Sequence, residues 1–555
     1  SADIGKDTSG NGNDWVNNNV VQVTDTPTDN YATLNPVDIS GTVTDGNLKT
    51  SVTDNVGTKG TIAVSEGKWY WEVYVDSGVN HYLGAAPSTL STQGYVPGNS
   101  FAINRLGNIF AAGSNVSKVG LTFYGPGDVI GMAVDFDNKK VWWSLNGQFY
   151  TADSGTATTI ENSVVEAGNN AYVFTALTDP EWTSWGASSS GTSVFSYNFG
   201  QKPFAYTPPT GYKTLSTKNL PDATVVPSES FDVRLRTGTG VEATVSDLGF
   251  QPDLLWTKTR SNAVNHNLHS TLMAQNYSFL QTNTTDAENN TSTNYYMTPT
   301  STGYNVGTGD NINQVNHTFV DWLWKAGGTA VSNTAGTITS SVSANPTAGF
   351  SVVTYGGTGV TGATVGHGLN VPPSMIIWKN RASAGTNWIT YHKKLGVNQY
   401  IYLNLTNGAA TNANTFGVSS STFTLGTASP DFNGTSMVAY CFADVEGYSK
   451  IGSYTGNGNA NGPFVYTGFR PRFIMFKLSS STGTWFLEDT VRGTYNVMGP
   501  ELYADSSAAE ANVNRLDVLS NGFKLRAGNP GENSSGGTYI YMAFAEQPFK
   551  NANAR

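Results

Sequence analysis

Charge is scarce in this chain. Of its 555 residues only 13% are Asp, Glu, Lys or Arg, about half of the ~25% usual in soluble proteins. The formal net charge is −10 and no run of Lys or Arg occurs. Nothing therefore supplies the basic surface that displaces counterions from nucleic acid, and no nucleic acid partner is expected. Cysteine is nearly absent: Cys441 stands alone, which excludes an intrachain disulfide. Its setting, Met437 to Ala443, reads as an apolar strand in which the thiol is a small buried hydrophobe. No stretch reaches the ~18 apolar residues that span a bilayer, and the N-terminus lacks a basic region and an apolar signal core. Membrane insertion is not expected. The chain starts at Ser1 without a methionine, which reads as a processed product or a portion with residues upstream.

Recognisable reaction chemistry is missing too. No phosphate-binding glycine loop, Gly-x-Ser-x-Gly elbow or helix-loop-helix calcium loop occurs. His266 and His269 have a spacing that binds metal on a helix, but their Ser/Asn-rich surroundings are not helical and no third ligand lies near. Asp135 and Asp137 are the tempting carboxylate pair; alternation places both on the outward side of one strand, where solvated strand and turn residues explain them. No catalytic residue, metal or cofactor is expected, and the chain reads as no enzyme.

What is abundant is Gly, Asn, Ser and Thr, with 12% aromatics. That many aromatic and β-branched residues can bury enough area to offset chain entropy, so disorder is excluded and an all-β protein of three to five domains is expected. The clearest element lies at Gly127 to Gly147. Ile130, Met132, Val134 and Phe136 recur at period two, Asp137 to Lys140 form a polar turn, Val141 to Leu145 return, and Asn146-Gly147 turn the chain again.

Three stretches carry a family resemblance: Gly67-Lys-Trp-Tyr-Trp-Glu-Val-Tyr-Val75, the 127–147 hairpin, and Val194-Phe-Ser-Tyr-Asn-Phe-Gly200 followed by Phe204 to Tyr212. In this order they resemble the SPRY domain. The likeness runs over about residues 45 to 212 and assigns residues 31–212 to one module. It implies a bent β-sandwich that binds through its loops and has no catalytic machinery. Residues 1–30, with Asp7 to Trp15 and the strand Val20 to Val23, resemble the end of a concanavalin-like sandwich of phage tail proteins, and are read as a remnant or connector.

After a linker at 213–229, three segments align. Gly249-Phe-Gln-Pro-Asp-Leu-Leu-Trp-Thr-Lys258, Gly368 to Lys379 and Gly468 to Lys477 each hold a glycine, a proline, four apolar strand residues and a lysine. An opening strand with a Gly-rich hairpin precedes each, and an apolar strand closes each: Phe319 to Trp324, Met437 to Phe442 and Tyr539 to Phe544. The reading is three tandem β-sandwich modules at 230–328, 349–447 and 448–555, with a connector at 329–348 holding a short hairpin or a hinge. Copies two and three abut without a linker, which predicts a rigid rod.

The ending Ala543 to Arg555 resembles the close of large phage structural proteins. Together the resemblances imply a tailed-phage virion protein on the particle surface, most simply a tail-fibre or spike component. It is expected to work as a homo-oligomer, a trimer by preference, alongside other virion proteins and against a host-surface glycan or protein. A head-decoration protein, a secreted bacterial adhesin or filament subunit, and a glycan depolymerase are the competing readings. Contact is expected at the stretch between Phe174 and Val194, read as a long aromatic loop. Trp182 and Trp185 would form its platform, Asp179 and Glu181 would accept sugar hydroxyls, and Tyr82 and Tyr95 would be weaker neighbours. The bland alternative is that both indoles cover a sandwich edge or meet a neighbouring chain.

Overall fold

The hairpin at 127–147 forms as its punctuation dictates. Val129–Asp135 pairs with Lys140–Leu145, from Ile130 opposite Leu145 to Asp135 opposite Lys140. Asn146 and Gly147 take φ of 47° and 85°, the two positive values that a two-residue I′ turn requires. The chain then pairs onward through Gln148–Tyr150. These features belong to a computed structural model that describes residues 6–7, 9–14, 26, 29–90, 92, 94–119, 124–152, 158–177, 181–411, 416–426 and 429–551. The strand expected at Val20 to Val23 and the terminal residues 552–555 lie outside the described residues.

The chain divides into two compact units, 1–221 and 222–555. In the first, a ten-stranded sheet centred on Val129–Asp135 faces a seven-stranded sheet. Phe101 of the smaller sheet meets Trp143 of the larger at 6.3 Å and packs beside Trp182 of its own sheet at 5.4 Å. Val129–Asp135 is buried along its whole length rather than on alternate residues. Its second face is covered as well, by a cluster of Tyr70, Trp142, Phe149, Ile160 and Val165 with Phe204 and Tyr212 against it. Glu72 fastens this outer layer. Fully buried, its carboxylate accepts from the backbone N–H groups of Ala205 and Tyr206, both at 2.9 Å, so its desolvation is compensated.

Two expectations change here. Asp135 is not solvated: it is 2% exposed, because the turn folds Asn138 over it and both the Asn138 backbone N–H and Nδ2 donate to its carboxylate. Lys213–Thr214, read as linker, instead pairs in parallel with Lys68–Ser77.

The second unit uses one strand order three times. Phe231–Thr237, Thr318–Trp324, Leu254–Thr259 and Asn267–Ser270 lie side by side in that order. The same first-last-second-third order holds for Phe350–Tyr355, Met437–Phe442, Met375–Asn380 and Ile389–His392, and for Ser449–Thr455, Thr538–Pro548, Phe469–Leu478 and Trp485–Asp489. Registers correspond: Trp324 lies between Phe231 and Leu254, Phe442 between Phe350 and Met375, and Phe544 between Ser449 and Phe473. In each sheet a proline stands two residues before the third of these partners, at Pro252, Pro373 and Pro471. The stretch 329–348 supplies a hairpin, Val331–Asn333 with Ser340–Asn345, which widens the second sheet alone.

No rod forms. Each segment keeps an outer core of its own, but the inner faces of all three main sheets meet in one shared core. Phe231 stacks on Phe544 at 5.0 Å, and Trp324 and Phe544 both approach Phe442, at 6.3 and 6.1 Å. The seams close in a ring. Trp388 Nε1 donates to Gln281 O at 3.0 Å, Trp485 Nε1 to Tyr402 O at 2.8 Å, and His266 Nε2 lies 2.9 Å from Tyr503 O. Backbone bonds repeat the circuit, from Glu288 N to Arg381 O, Ala409 N to Ser479 O and Glu510 N to Arg260 O. The reason is area: a sheet apolar on both faces cannot cover its inner face from within one segment, and burial of that face drives the closure.

Candidate functional site

The stretch expected to be an aromatic loop is a strand. Trp182–Ser188 pairs with His81–Pro87 on one side and with Val56–Gly60 on the other. Trp182 and Trp185 are both 0% exposed, so neither forms a platform. Spaced three apart, they point to opposite faces of one strand. Trp182 enters the core beside Phe101, Phe136 and Phe174. Trp185 lies on the outer face of the seven-stranded sheet with Tyr82, Ala86, Val96 and Ala187. Gly57 makes room for it: a Cβ there would stand 2.2 Å from the indole.

A covering segment, described at residues 88–90 and 94–98, is tied over that outer face. The Lys59 ammonium, 3% exposed as a residue, donates to Ser88 O at 2.9 Å and Leu90 O at 2.6 Å and pairs with Asp38 at 2.5 Å. Trp185 Nε1 donates to Tyr95 O at 2.9 Å. Glu181 belongs to the same tether, since Ser88 donates to it through its backbone N–H and through Oγ; it does not face the aromatic cluster as a free acceptor. Asp179 lies outside the described residues.

The segment carries Tyr95 onto Tyr82, ring centroids 4.7 Å apart, and Phe110 closes the group at 5.1 Å from Tyr82 and 6.3 Å from Tyr95. Tyr82 is nearly buried, while Tyr95 and Phe110 stay half-buried with an accessible edge. Burial raises the Tyr82 phenol above its ordinary pKa, with Ser189 and Asn104 beside it, so it remains a neutral hydrogen-bonding group. Of the residues expected to act together, the structure thus joins Tyr82, Tyr95 and Trp185 and separates Trp182 and Glu181 from them. Phe110 was missed, although alternation in Asn108–Ala111 already puts it opposite the inward Ile109 and Ala111. The arrangement can stack against planar or apolar ligand faces and offer a few polar contacts. It holds no acid-base pair.

Several buried titratable groups elsewhere are locked into structure. His266 and His392 are held at about 3, first by burial. Lys258, Lys379 and Lys477, the lysines ending the three aligned motifs, are buried and lowered to about 8 by desolvation. Their ammonium groups cap loop carbonyls, Lys258 at Thr259 and Asn262, Lys379 at Thr386 and Thr285, Lys477 at Leu405 and Gly483. Among the described residues no three His, Cys, Asp or Glu side chains gather into a metal-holding group. Likewise no helix among them is long and apolar enough to cross a membrane.

The model of a domain of unknown function (DUF7483) matches residues 226–548, and the SPRY domain model matches residues 68–164. The chain therefore carries a SPRY domain, and the match includes the 127–147 hairpin. Among solved structures, the SPRY domain of human HERC1 is 13% identical, with 31% of this chain and 99% of that chain covered and a TM-score of 0.24. The TRIM65 PSpry domain is 14% identical over 30% of this chain and 92% of that one, TM-score 0.21, and a human SPRY domain 19% identical over 29% and 96%, TM-score 0.20. No curated protein matches.

Proposed function

The chain belongs to the family of the domain of unknown function DUF7483, whose model spans more than half of it, and from that premise we propose a non-enzymatic binding protein of a tailed-phage virion. In this reading the SPRY domain is the contact module and the family's domain is its carrier, built of three tandem copies of one module. The protein serves in a tail fibre or spike, as a homo-oligomer among other virion proteins, and meets a host-surface glycan or protein.

The observation that carries the binding role is the Tyr82–Tyr95–Phe110 face. It leaves two half-buried rings clustered at the surface of a weakly charged protein. An acidic chain approaching an anionic bacterial envelope gains little from long-range attraction, so short-range stacking must supply the affinity. In the SPRY domain the buried carboxylates of Glu72 and Asp135 are occupied by backbone and side-chain donors, which supports a binding rather than a catalytic role there. The virion assignment is supported by the resemblance of the two chain ends to phage structural proteins.

The test replaces Tyr95 and Phe110 together by alanine and measures adsorption of the purified chain to host cells, with thermal unfolding as control. Adsorption should fall about tenfold or more, as for paired aromatic anchors, while the midpoint stays within a few degrees. Undiminished adsorption by a folded variant overturns this contact face.

A further inference from the structure

The hairpin Val331–Asn333/Ser340–Asn345 builds something the other two segments lack. It adds two strands beside Phe350–Tyr355, whereas the corresponding strands Phe231–Thr237 and Ser449–Thr455 end their sheets. Across the widened edge Ser332 lies opposite Ser341 and Ser341 opposite Thr354, so three hydroxyls form one row on one face. Thr339, Thr435 and Ser436 complete the lining of an open cleft of about 440 Å³, within the ~300–1,000 Å³ typical of ligand sites. Among the described residues none of these six hydroxyls has a protein partner, whereas the neighbouring Ser340 and Tyr355 hydroxyls donate to Gly366 O and Phe432 O. The lining holds one charge, Arg381, and it is compensated by Glu288 of the first segment, which is 4% exposed in its side chain.

We propose that this cleft is a saccharide-binding site for neutral hexoses, separate from the aromatic face of the SPRY domain. A row of unengaged hydroxyls offers donors and acceptors at strand spacing, which suits the alternating hydroxyls of a sugar ring. The Arg381–Glu288 pair adds a donor fork with no net charge, so an acidic sugar gains nothing that a neutral one lacks. No carboxylate lines the cleft, so a cation finds no anionic partner in its lining.

The experiment titrates the full chain with glucose, galactose, mannose and N-acetylglucosamine, and with glucuronate as the charged comparator, reading saturation-transfer NMR and calorimetry. At least one neutral sugar should bind. The variant Ser332→Val/Ser341→Val/Thr354→Val keeps strand propensity and removes the row; it should weaken binding about tenfold or more, from three lost hydrogen bonds. Should that triple change misfold, Thr435→Val with Ser436→Ala, at the rim outside the row, must weaken binding in the same direction. The Tyr95→Ala/Phe110→Ala variant should bind sugar unchanged, which separates this site from the proposed contact face. Binding of glucuronate alone, no binding of any neutral sugar, or wild-type affinity in the hydroxyl variants would each overturn the proposal.

Discussion

Trp182 and Trp185 show how a spacing of three decides the fate of a side chain in a strand. Both were candidates for a ligand platform, and both are buried on opposite faces of Trp182–Ser188. Replacing either by alanine should cost about 3–5 kcal/mol, the usual range for a buried large aromatic, measured by urea unfolding. Trp185→Ala should also loosen residues 88–98, seen as faster amide exchange there, because it removes the bond to Tyr95 O. The buried histidines give a second test at this scale. Burial holds His81 at about 4 and His266, His269 and His392 at about 3. With folded pKa values below the ordinary ~6.5, the unfolded chain takes the protons first. The stability they contribute is complete above pH 6.5 and is lost as pH falls from there toward 3, by up to about 1.4 kcal/mol per pH unit for each ring. His269→Phe, whose ring packs on Phe279 at 5.8 Å, should flatten that slope by about one proton.

At the scale of elements, the same device recurs at each Gly-rich hairpin. The one-turn helices Asp310–Asn313, Pro430–Asn433 and Pro530–Asn533 all end in a buried asparagine. Its Oδ1 accepts from Thr239 N, Thr358 N or Asn457 N, and its Nδ2 donates to Val241 O, Val360 O or Asn459 O. Gly240, Gly359 and Gly458 in these hairpins share φ values of 69°, 70° and 68°, which a β-carbon would strain. Asn433→Ala takes the acceptor from the Thr358 and Gly359 N–H groups and should cost about 1 kcal/mol. Chemical denaturation measures it, and Asn533→Ala should behave alike. An unchanged midpoint would mean that water replaces the amide and the hairpins are not held by it.

For the whole molecule, closure is the governing fact. Each segment of residues 222–555 contributes a face to the shared core, and each seam carries a hydrogen bond from a tryptophan or histidine ring. Ion pairs reinforce two seams, Arg381 with Glu288 and Arg260 with Glu510, while Ser479 and Ala409 stand at the third. Residues 222–555 should therefore unfold in one cooperative transition, and in a chain ending at 447 residues 222–447 should not fold, since the inner faces of two sheets are exposed. Calorimetry of both decides the matter: two folded, independently melting segments in the shorter chain would mean that the seams add little.

What local order determines was legible without a structure. The Asn146-Gly147 turn, the paired strands around it, the SPRY motifs and the aligned apolar runs at Leu254, Met375 and Phe473 follow from backbone preferences and period-two patterning, which act over a few residues. Of the candidate site, Tyr82 and Tyr95 could be named, but Phe110 and the tethering roles of Lys59 and Glu181 could not. Patterning says that a face is apolar; it does not say what covers it. The inward turn of Trp182, the burial of Asp135 beneath Asn138 and the folding of three segments into a ring instead of a rod were decided by contacts between residues far apart in sequence. Those contacts bury area that no single strand or segment can cover by itself, and only the tertiary structure brings the covering surfaces together.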